Sequence, residues 1–222
     1  SQQAAADRLQ QLYDESVEYK AQRSNALKKL LANPSAPRGI YLWGGVGTGK
    51  SFLMDLFFAA VPVNRKTRVH FHEFMRSVHR ELDDLKGTEN PLDEVAERLA
   101  SRYRLICFDE FHVSDIADAM ILHTLLSRLF ELNVGFVMTS NYPPDGLYPD
   151  GLHRDRILPA IDLLKQQLDV LAVDGGIDYR KRAMLRIDAY LTPGGAASDA
   201  VLQAVFERIA ETDDDDPVLE IE

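Results

Sequence analysis

The sequence has one cysteine, no long apolar run and fewer positive than negative charges. Each of these deficits argues against one class of protein. The single cysteine, Cys107, excludes an internal disulfide and fits a reducing compartment. The apolar stretch at residues 52–63 is interrupted by Asp55 and Pro62, whereas a membrane-spanning helix needs about 20 apolar residues. The net charge of −10 does not favour a protein that binds chiefly by neutralising nucleic-acid phosphates.

The composition is that of a folded globular protein. Of the 222 residues, 45% are hydrophobic and 27% are charged, a balance that supports a substantial core and argues against disorder. The first residues carry neither a basic-then-apolar signal nor an Arg/Ser-rich presequence, so a cytoplasmic location is expected.

Short apolar runs alternate with segments of helical periodicity along most of the chain. The expected strands are residues 39–43, 68–72, 103–108, 134–140 and 168–173. The expected helices are residues 4–31, 51–60, 74–85, 117–132 and 157–167. Such alternation predicts an α/β fold, with a five-stranded parallel sheet sandwiched by helices.

A phosphate-binding loop follows the first expected strand. The pattern Gly-x-x-x-x-Gly-Lys-Ser is met by Gly44, Gly45, Val46, Gly47, Thr48, Gly49, Lys50 and Ser51. The glycines let successive backbone N–H groups point at phosphates, and the following helix adds its positive N-terminal end. Lys50 would place its charge on the phosphates, and the Ser51 hydroxyl would ligate Mg²⁺. The sequence therefore predicts a nucleotide site.

Two carboxylates end the third expected strand, at residues 103–108. In a parallel sheet, the strand's carboxyl end lies at the edge that carries the phosphate loop, so Asp109 and Glu110 are expected beside the nucleotide. Asp109 would ligate Mg²⁺, which prefers oxygen ligands. Glu110 would orient and polarise the attacking water. The alternative is an Asp-Glu pair of no special purpose at a strand end.

One further strand, residues 68–72, lies between the loop strand and the strand that ends in Asp109. This extra strand distinguishes ATPases with a catalytic glutamate from simpler kinase-like folds. The Asn-Lys-x-Asp signature of guanine binding is absent from the sequence. We therefore expect ATP rather than GTP.

Polar residues after the fourth strand complete the expected site. Asn141 follows that strand and would sense the γ-phosphate, although an Asn next to prolines also favours a turn. Arg154 and Arg156 precede the last expected helix. In ring-forming ATPases an arginine at this place reaches the γ-phosphate of the neighbouring subunit. Arg154 is the preferred candidate, and at least one of the two arginines is expected to be an ordinary surface residue.

Two other groups of side chains have alternative interpretations. His70 and His72, on one face of the expected strand, together with Glu73 suggest a metal site, but with no further protein ligand nearby a structural role is favoured. The favoured interpretation places Tyr13 in the core, because it lies on the apolar stripe of its helix, and Tyr19 on the surface. The alternative is that one of the two tyrosines packs on adenine.

Several strings together resemble the ZapE/Afg-type ATPases, an AAA+-related family with bacterial and mitochondrial (LACE-type) members. The resemblance covers about residues 9–180 and is carried by "GIYLWGGVGTGKSFLMDLFF", "RVHFHEFMRSVH", "LICFDEFHVSDIADAMIL", "TSNYPPDGLY", "GLHRDRILPAIDLL" and "GGIDYR". It implies an ASCE-type, AAA+-like P-loop fold and Mg²⁺-dependent ATP hydrolysis. For bacterial members it implies a nucleotide-dependent homo-oligomer that remodels the FtsZ division ring at the inner-membrane surface. For mitochondrial members it implies turnover or assembly of inner-membrane proteins.

The resemblance also implies the organisation of the chain. Residues 1–38 would form a helical segment leading into the core, residues 39–180 the ATPase domain, and residues 181–222 the start of a C-terminal lid that is incomplete here. No lid arginine can be assigned. Two alternatives to a protein-remodelling ATPase remain: a nucleic-acid loader, for which a basic strip would be expected, and a nucleotide-gated binding module with little turnover.

Overall fold

A computed structural model describes residues 1–23, 36–149 and 151–174. Within these ranges the strands are β1 Gly39–Trp43, β2 Lys66–His70, β3 Leu105–Asp109, β4 Gly135–Ser140 and β5 Leu168–Ala172. The helices are α1 Gln2–Gln22, α2 Lys50–Ala60, α3 Phe71–Asp84, α4 Pro91–Arg102, α5 Ile116–Glu131 and α6 Leu158–Gln167. The end of the first expected helix, the expected domain boundary near residue 180 and the expected lid at 181–222 lie outside the described residues.

The five strands form one parallel sheet in the order β2-β3-β4-β1-β5. β1 lies between β4 and β5, with Ile40 beside Val137 on one side and beside Asp169 on the other. Because all the strands run in one direction, their carboxyl ends meet at a single edge, which we call the carboxyl edge. The predicted α/β sandwich is confirmed.

Both faces of the sheet are covered, and alternate residues of each strand divide between them. On one face, Tyr41 packs in a core that receives apolar side chains from α3, α4, α5 and α6. On the other face, Ile40 and Leu42 pack with side chains from α1 and α2. Burial on both faces explains why the central strands β1, β3 and β4 are largely apolar runs.

The second strand is shifted from its expected position, and this overturns one premise of the metal hypothesis. β2 ends at His70, and α3 begins at Phe71, so His72 lies on a helix rather than on the face of a strand. The cause is the spacing of Phe71, Phe74 and Met75, which a helix buries on one side. In the described part of the chain, no cluster of three or more His, Cys, Asp or Glu side chains could hold a metal ion.

Helix α4, Pro91–Arg102, was not expected. Its signals are present in the sequence: a proline at the first helical position, acidic residues in the first turn, and Val95 and Leu99 one turn apart. These residues pack on the same face as α3 and α5. In the described residues, no helix is both long and apolar enough to cross a membrane.

The single cysteine is a core residue, and we expect it to be chemically inert. Cys107 lies in β3 with its side chain fully buried, and burial raises the pKa of its thiol to about 12. Because the thiolate is the reactive form, an aromatic disulfide reagent at pH 8 should not modify the native protein but should modify one thiol per chain in denaturant. Equal labelling rates in the native and denatured protein would contradict this.

Candidate nucleotide-hydrolysing site

The phosphate loop, residues 44–51, joins the end of β1 to the start of α2 at the carboxyl edge. Its backbone requires glycine at two positions, because Gly47 and Gly49 have φ values of 80° and 85°. Gly49 is also the N-cap of α2 and has no side chain to cap the helix, so the first N–H groups of α2 remain directed toward a ligand.

The root of the loop is fixed by the two strands that flank β1. The Gly44 N–H donates to the Ser140 carbonyl at 3.2 Å, and the Val173 N–H donates to the Trp43 carbonyl at 2.7 Å. A Cβ on Gly44 would lie 2.4 Å from the Val173 carbonyl oxygen, so a side chain there would push β5 away from the loop. The position of the phosphate loop therefore depends on glycine at residue 44.

The Lys50 side chain folds back over the loop. It is only 8% exposed, and its Nζ donates to the carbonyl oxygens of Gly44 and Gly45, both at 2.7 Å. A longer contact of 3.3 Å reaches Thr48 Oγ1. Burial lowers the pKa of the Lys50 ammonium. The loop thus holds a partly desolvated cation in place, where a phosphate would meet it.

The structure brings Asn141 to the same cation. Asn141 directly follows β4, and its Oδ1 lies 3.4 Å from Lys50 Nζ, although 91 residues separate the two in sequence. The same residue also lies in a turn, because the Tyr142 N–H donates to Ser140 Oγ at 3.1 Å. Asn141 therefore lies in a turn and also close to Lys50. Its role as a γ-phosphate sensor stays a prediction.

Asp109 is the last residue of β3, and its carboxylate is held by an arginine that the sequence did not reveal as a site residue. Arg68 in β2 donates through Nε to Asp109 Oδ2 at 2.5 Å and through Nη2 to Oδ1 at 3.1 Å. The same guanidinium pairs with Asp55 on α2. Arg68 therefore links the third strand to the helix that begins with the phosphate loop. Its role depends on strand register, which no local motif encodes.

Glu110 leaves the sheet in a left-handed conformation, with φ of 51°. Its side chain is 75% exposed at the carboxyl edge, and its Oε2 lies 3.9 Å from His70 Nδ1. Its amide N–H donates to Thr139 Oγ1 at 3.3 Å. The backbone of Glu110 is thus held while its carboxylate stays accessible.

Arg154 and Arg156 occupy a 3₁₀ turn before α6, as their sequence position suggested. Arg154 is half-buried, and its Nη2 donates to the Asp145 carbonyl at 2.8 Å, while its Nε is buried without a hydrogen-bond partner in the described residues. The Arg156 side chain is 64% exposed and contacts only Asp155, at 3.7 Å, in the same residues. Within the described residues, neither arginine forms a hydrogen bond or an ion pair with the phosphate loop of the same chain.

The two tyrosines differ in position. Tyr13 packs against the core shared by α1 and α2. Tyr19 lines a cavity with Gly39, Leu105 and Gly135, the first residues of β1, β3 and β4, at the edge opposite the phosphate loop. That position argues against contact between Tyr19 and a nucleotide base bound at the loop.

The fold and the site together define a class of protein. A phosphate loop follows β1, an Asp-Glu pair ends β3, and the order β2-β3-β4-β1-β5 places β4 and its Asn141 between them. This is the arrangement of a P-loop ATPase of the AAA+ type. The family model of the AFG1-like ATPases matches residues 1–222, and the chain belongs to that family.

Two relatives and one solved structure illustrate the relationship. The chain is 52% identical over 156 residues to "Cell division protein ZapE" of Escherichia coli K12, covering 70% of this chain and 42% of that protein. It is 43% identical over 192 residues to "Lactation elevated protein 1 homolog B" of Danio rerio, covering 81% and 38% respectively. The chain therefore spans about two fifths of the length of these relatives. Domain III of the Thermotoga maritima replication initiation protein DnaA is 16% identical, covers 89% of this chain and 80% of its own, and has a TM-score of 0.53, which shows a shared fold.

Proposed function

We propose that this ATPase couples Mg²⁺-dependent hydrolysis to the remodelling of a protein partner. The observation that carries the hydrolytic part is the contact of Asn141 with the Lys50 ammonium group, at the sheet edge where Glu110 presents an accessible carboxylate. A site that only binds nucleotide needs the loop and Lys50 but has no use for a base at the end of β3.

Each residue has a separate role in this proposal. Lys50 and the N–H groups of the phosphate loop bind the β- and γ-phosphates. Glu110 orients the attacking water and accepts its proton. Asn141, beside Lys50, contacts the γ-phosphate, and Arg154 stabilises the transition-state charge on a neighbouring subunit.

The residues present fit a magnesium ion. The Ser51 hydroxyl and the Asp109 carboxylate are oxygen ligands, and Mg²⁺ in nucleotide sites takes one or two protein oxygens together with phosphates and waters. When bound, the ion would neutralise charge on the phosphates. Arg68, which donates to both Asp109 oxygens, orients that carboxylate between β2 and α2.

The partner is proposed from the relatives. A 52% identical relative carries the name of a cell division protein, which supports a partner in cell division. We propose FtsZ as that partner because the resemblance to the ZapE/Afg-type family implies it. A nucleotide-dependent homo-oligomer, peripheral at the inner-membrane surface on the cytoplasmic side, is consistent with that role. Sedimentation of FtsZ polymers with this protein and ATP should show fewer polymers than with a non-hydrolysable analogue; equal polymer mass would contradict the partner.

The nucleic-acid loader is the second candidate, but the DnaA likeness shows only the fold, and the net charge of −10 opposes it. Its test is direct: single-stranded DNA should leave the ATPase rate unchanged, and stimulated turnover would favour the loader instead.

The nucleotide site itself is tested by Lys50→Ala. Because hydrogen bonds to a charged group contribute about 1.5–3 kcal/mol, ATP affinity should fall about 10- to 150-fold, and hydrolysis should be lost with it. Titration with a fluorescent ATP analogue measures the affinity. The matched control is Lys86→Ala, since Lys86 is exposed and pairs only with Asp83 in the described residues. Wild-type ATP affinity in Lys50→Ala would show that the site is misassigned.

A further inference from the structure

Two buried hydroxyls lie at the end of β4, directly before Asn141 and next to the backbone around Glu110. Thr139 is 2% exposed and Ser140 is 1% exposed, and both belong to the last residues of β4. Buried hydroxyls are costly unless they are hydrogen-bonded, so their partners indicate their role. In both cases the partners lie in the segment that carries Glu110 or in the turn after Asn141.

The Thr139 hydroxyl continues the contact between the strands beyond the point where the regular ladder ends. The last register pair of β3 and β4 is Phe108 with Met138. Thr139 Oγ1 then donates to the Phe108 carbonyl at 3.4 Å and accepts from the Glu110 N–H at 3.3 Å. The amide of Glu110 is thereby bound at the residue where the backbone turns left-handed, with φ of 51°.

The Ser140 hydroxyl connects Phe111, the residue after Glu110, to the turn that contains Asn141 and Tyr142. Its Oγ donates to the Phe111 carbonyl at 2.7 Å and accepts from the Tyr142 N–H at 3.1 Å. The Ser140 carbonyl accepts from the Gly44 N–H, the first residue of the phosphate loop. One buried residue thus contacts the loop after β3, the turn after β4 and the phosphate loop.

The backbone adds a further bond to this junction. The Phe111 N–H donates to the Thr139 carbonyl at 2.7 Å, and the Phe108 carbonyl accepts from the Thr139 hydroxyl, so both residues that flank this part of the chain around Glu110 are bonded to Thr139. A left-handed non-glycine residue persists only where its surroundings hold it. Among the described residues, the side chain of Glu110 makes no hydrogen bond, and its Oε2 lies 3.9 Å from His70 Nδ1. The direction of the Glu110 carboxylate therefore depends on the backbone, which Thr139 and Ser140 hold.

We propose that Thr139 and Ser140 are positioning residues for hydrolysis: their hydroxyls hold the backbone of Glu110 in its left-handed conformation and fix its orientation relative to Asn141 and the phosphate loop. This inference rests on the proposed role of Glu110. Both hydroxyls are buried and hydrogen-bonded within the protein, so neither is expected to contact a bound nucleotide. Losing one should therefore impair the chemical step rather than ATP binding.

The test compares Thr139→Val with Thr139→Ser. Valine matches threonine in shape but leaves the Glu110 N–H without its acceptor, whereas serine keeps the hydroxyl. We expect Thr139→Val to lower kcat about 10- to 100-fold with the ATP dissociation constant changed by no more than about twofold, because small misplacements of a catalytic group have effects of this size. Thr139→Ser should recover kcat to within about threefold of wild type. Ser140→Ala should behave like Thr139→Val.

A second measurement separates positioning from a general loss of stability. In a Glu110→Gln background, Thr139→Val should lower the residual rate by less than about twofold, because the group it positions is already gone. A full additional loss would contradict the proposal, as would a wild-type kcat in both Thr139→Val and Ser140→Ala. Melting curves establish that each variant is folded at the assay temperature. If Thr139→Val does not fold, the same comparisons are made with Ser140→Ala and decide the question.

The two proposals fail in different ways. If Glu110→Gln hydrolyses ATP at the wild-type rate, the assignment of the base is wrong and the positioning role falls with it. If Glu110→Gln is slow while the Thr139 and Ser140 variants retain kcat, only the positioning role is wrong.

Discussion

Replacing Arg154 with alanine is expected to lower kcat by about 10³-fold or more, while Arg156→Ala leaves it nearly unchanged, because an arginine that contacts the transferred phosphoryl group contributes about 10³ to 10⁵ in rate. The two side chains form a matched pair on one 3₁₀ turn. Arg154 is half-buried and anchored to the Asp145 carbonyl, which orients its guanidinium. Arg156 is 64% exposed and paired only with its neighbour Asp155 in the described residues.

The measurement is steady-state ATP hydrolysis of both variants, with melting curves to show that the Asp145 contact is not required for folding. Mixing adds a sharper test. Arg154→Ala subunits retain an intact phosphate loop, and Lys50→Ala subunits retain an intact Arg154. If the arginine acts on a neighbouring subunit, the mixture of two inactive variants should recover activity. An inactive mixture, or activity per subunit that stays constant on dilution, would rule out this role.

The second large effect is expected for Glu110→Gln, which should lower kcat by about 10²- to 10⁴-fold, the usual contribution of a general base. Glutamine keeps the size of the side chain but cannot accept the proton of the attacking water. ATP affinity should change little, because the carboxylate is exposed and forms no close bond within the described residues. Steady-state kinetics and a nucleotide titration measure the two quantities separately.

The matched control is Glu97→Gln. Glu97 is an exposed glutamate of α4 whose partner is Arg128, and exposed ion pairs of this kind contribute little to stability. It should hydrolyse ATP at the wild-type rate. Equal kcat values for Glu110→Gln and Glu97→Gln would show that Glu110 is not the base.

Much of the fold could be predicted from the sequence, because the central strands β1, β3 and β4 are buried on both faces and therefore appear as short apolar runs. The phosphate loop was equally visible, since its chemistry requires glycines at fixed spacing and the structure shows left-handed backbone at Gly47 and Gly49. The position of Glu110 at the carboxyl edge followed from the direction of the strands alone.

The features that were missed depend on contacts between distant segments. Arg68 reaches Asp109 because β2 pairs with β3 in one particular register, and a shift of one residue would turn it to the other face. The role of the Thr139 and Ser140 hydroxyls could not be predicted from the sequence, because their partners after β3 lie 29 residues away and no sequence motif marks the pair. The alternation in "RVHFH" predicts a strand that includes His72, but the helical spacing of buried residues begins at Phe71, so His72 lies on the helix.

The role of Glu110 in hydrolysis is tested most directly by a single-turnover assay of wild type and Glu110→Gln with limiting radiolabelled ATP and Mg²⁺. The wild type should convert bound ATP to ADP and phosphate, while Glu110→Gln retains intact ATP over the same period. Release of phosphate from Glu110→Gln at the wild-type rate, with ATP bound equally by both proteins, would show that Glu110 is not the base.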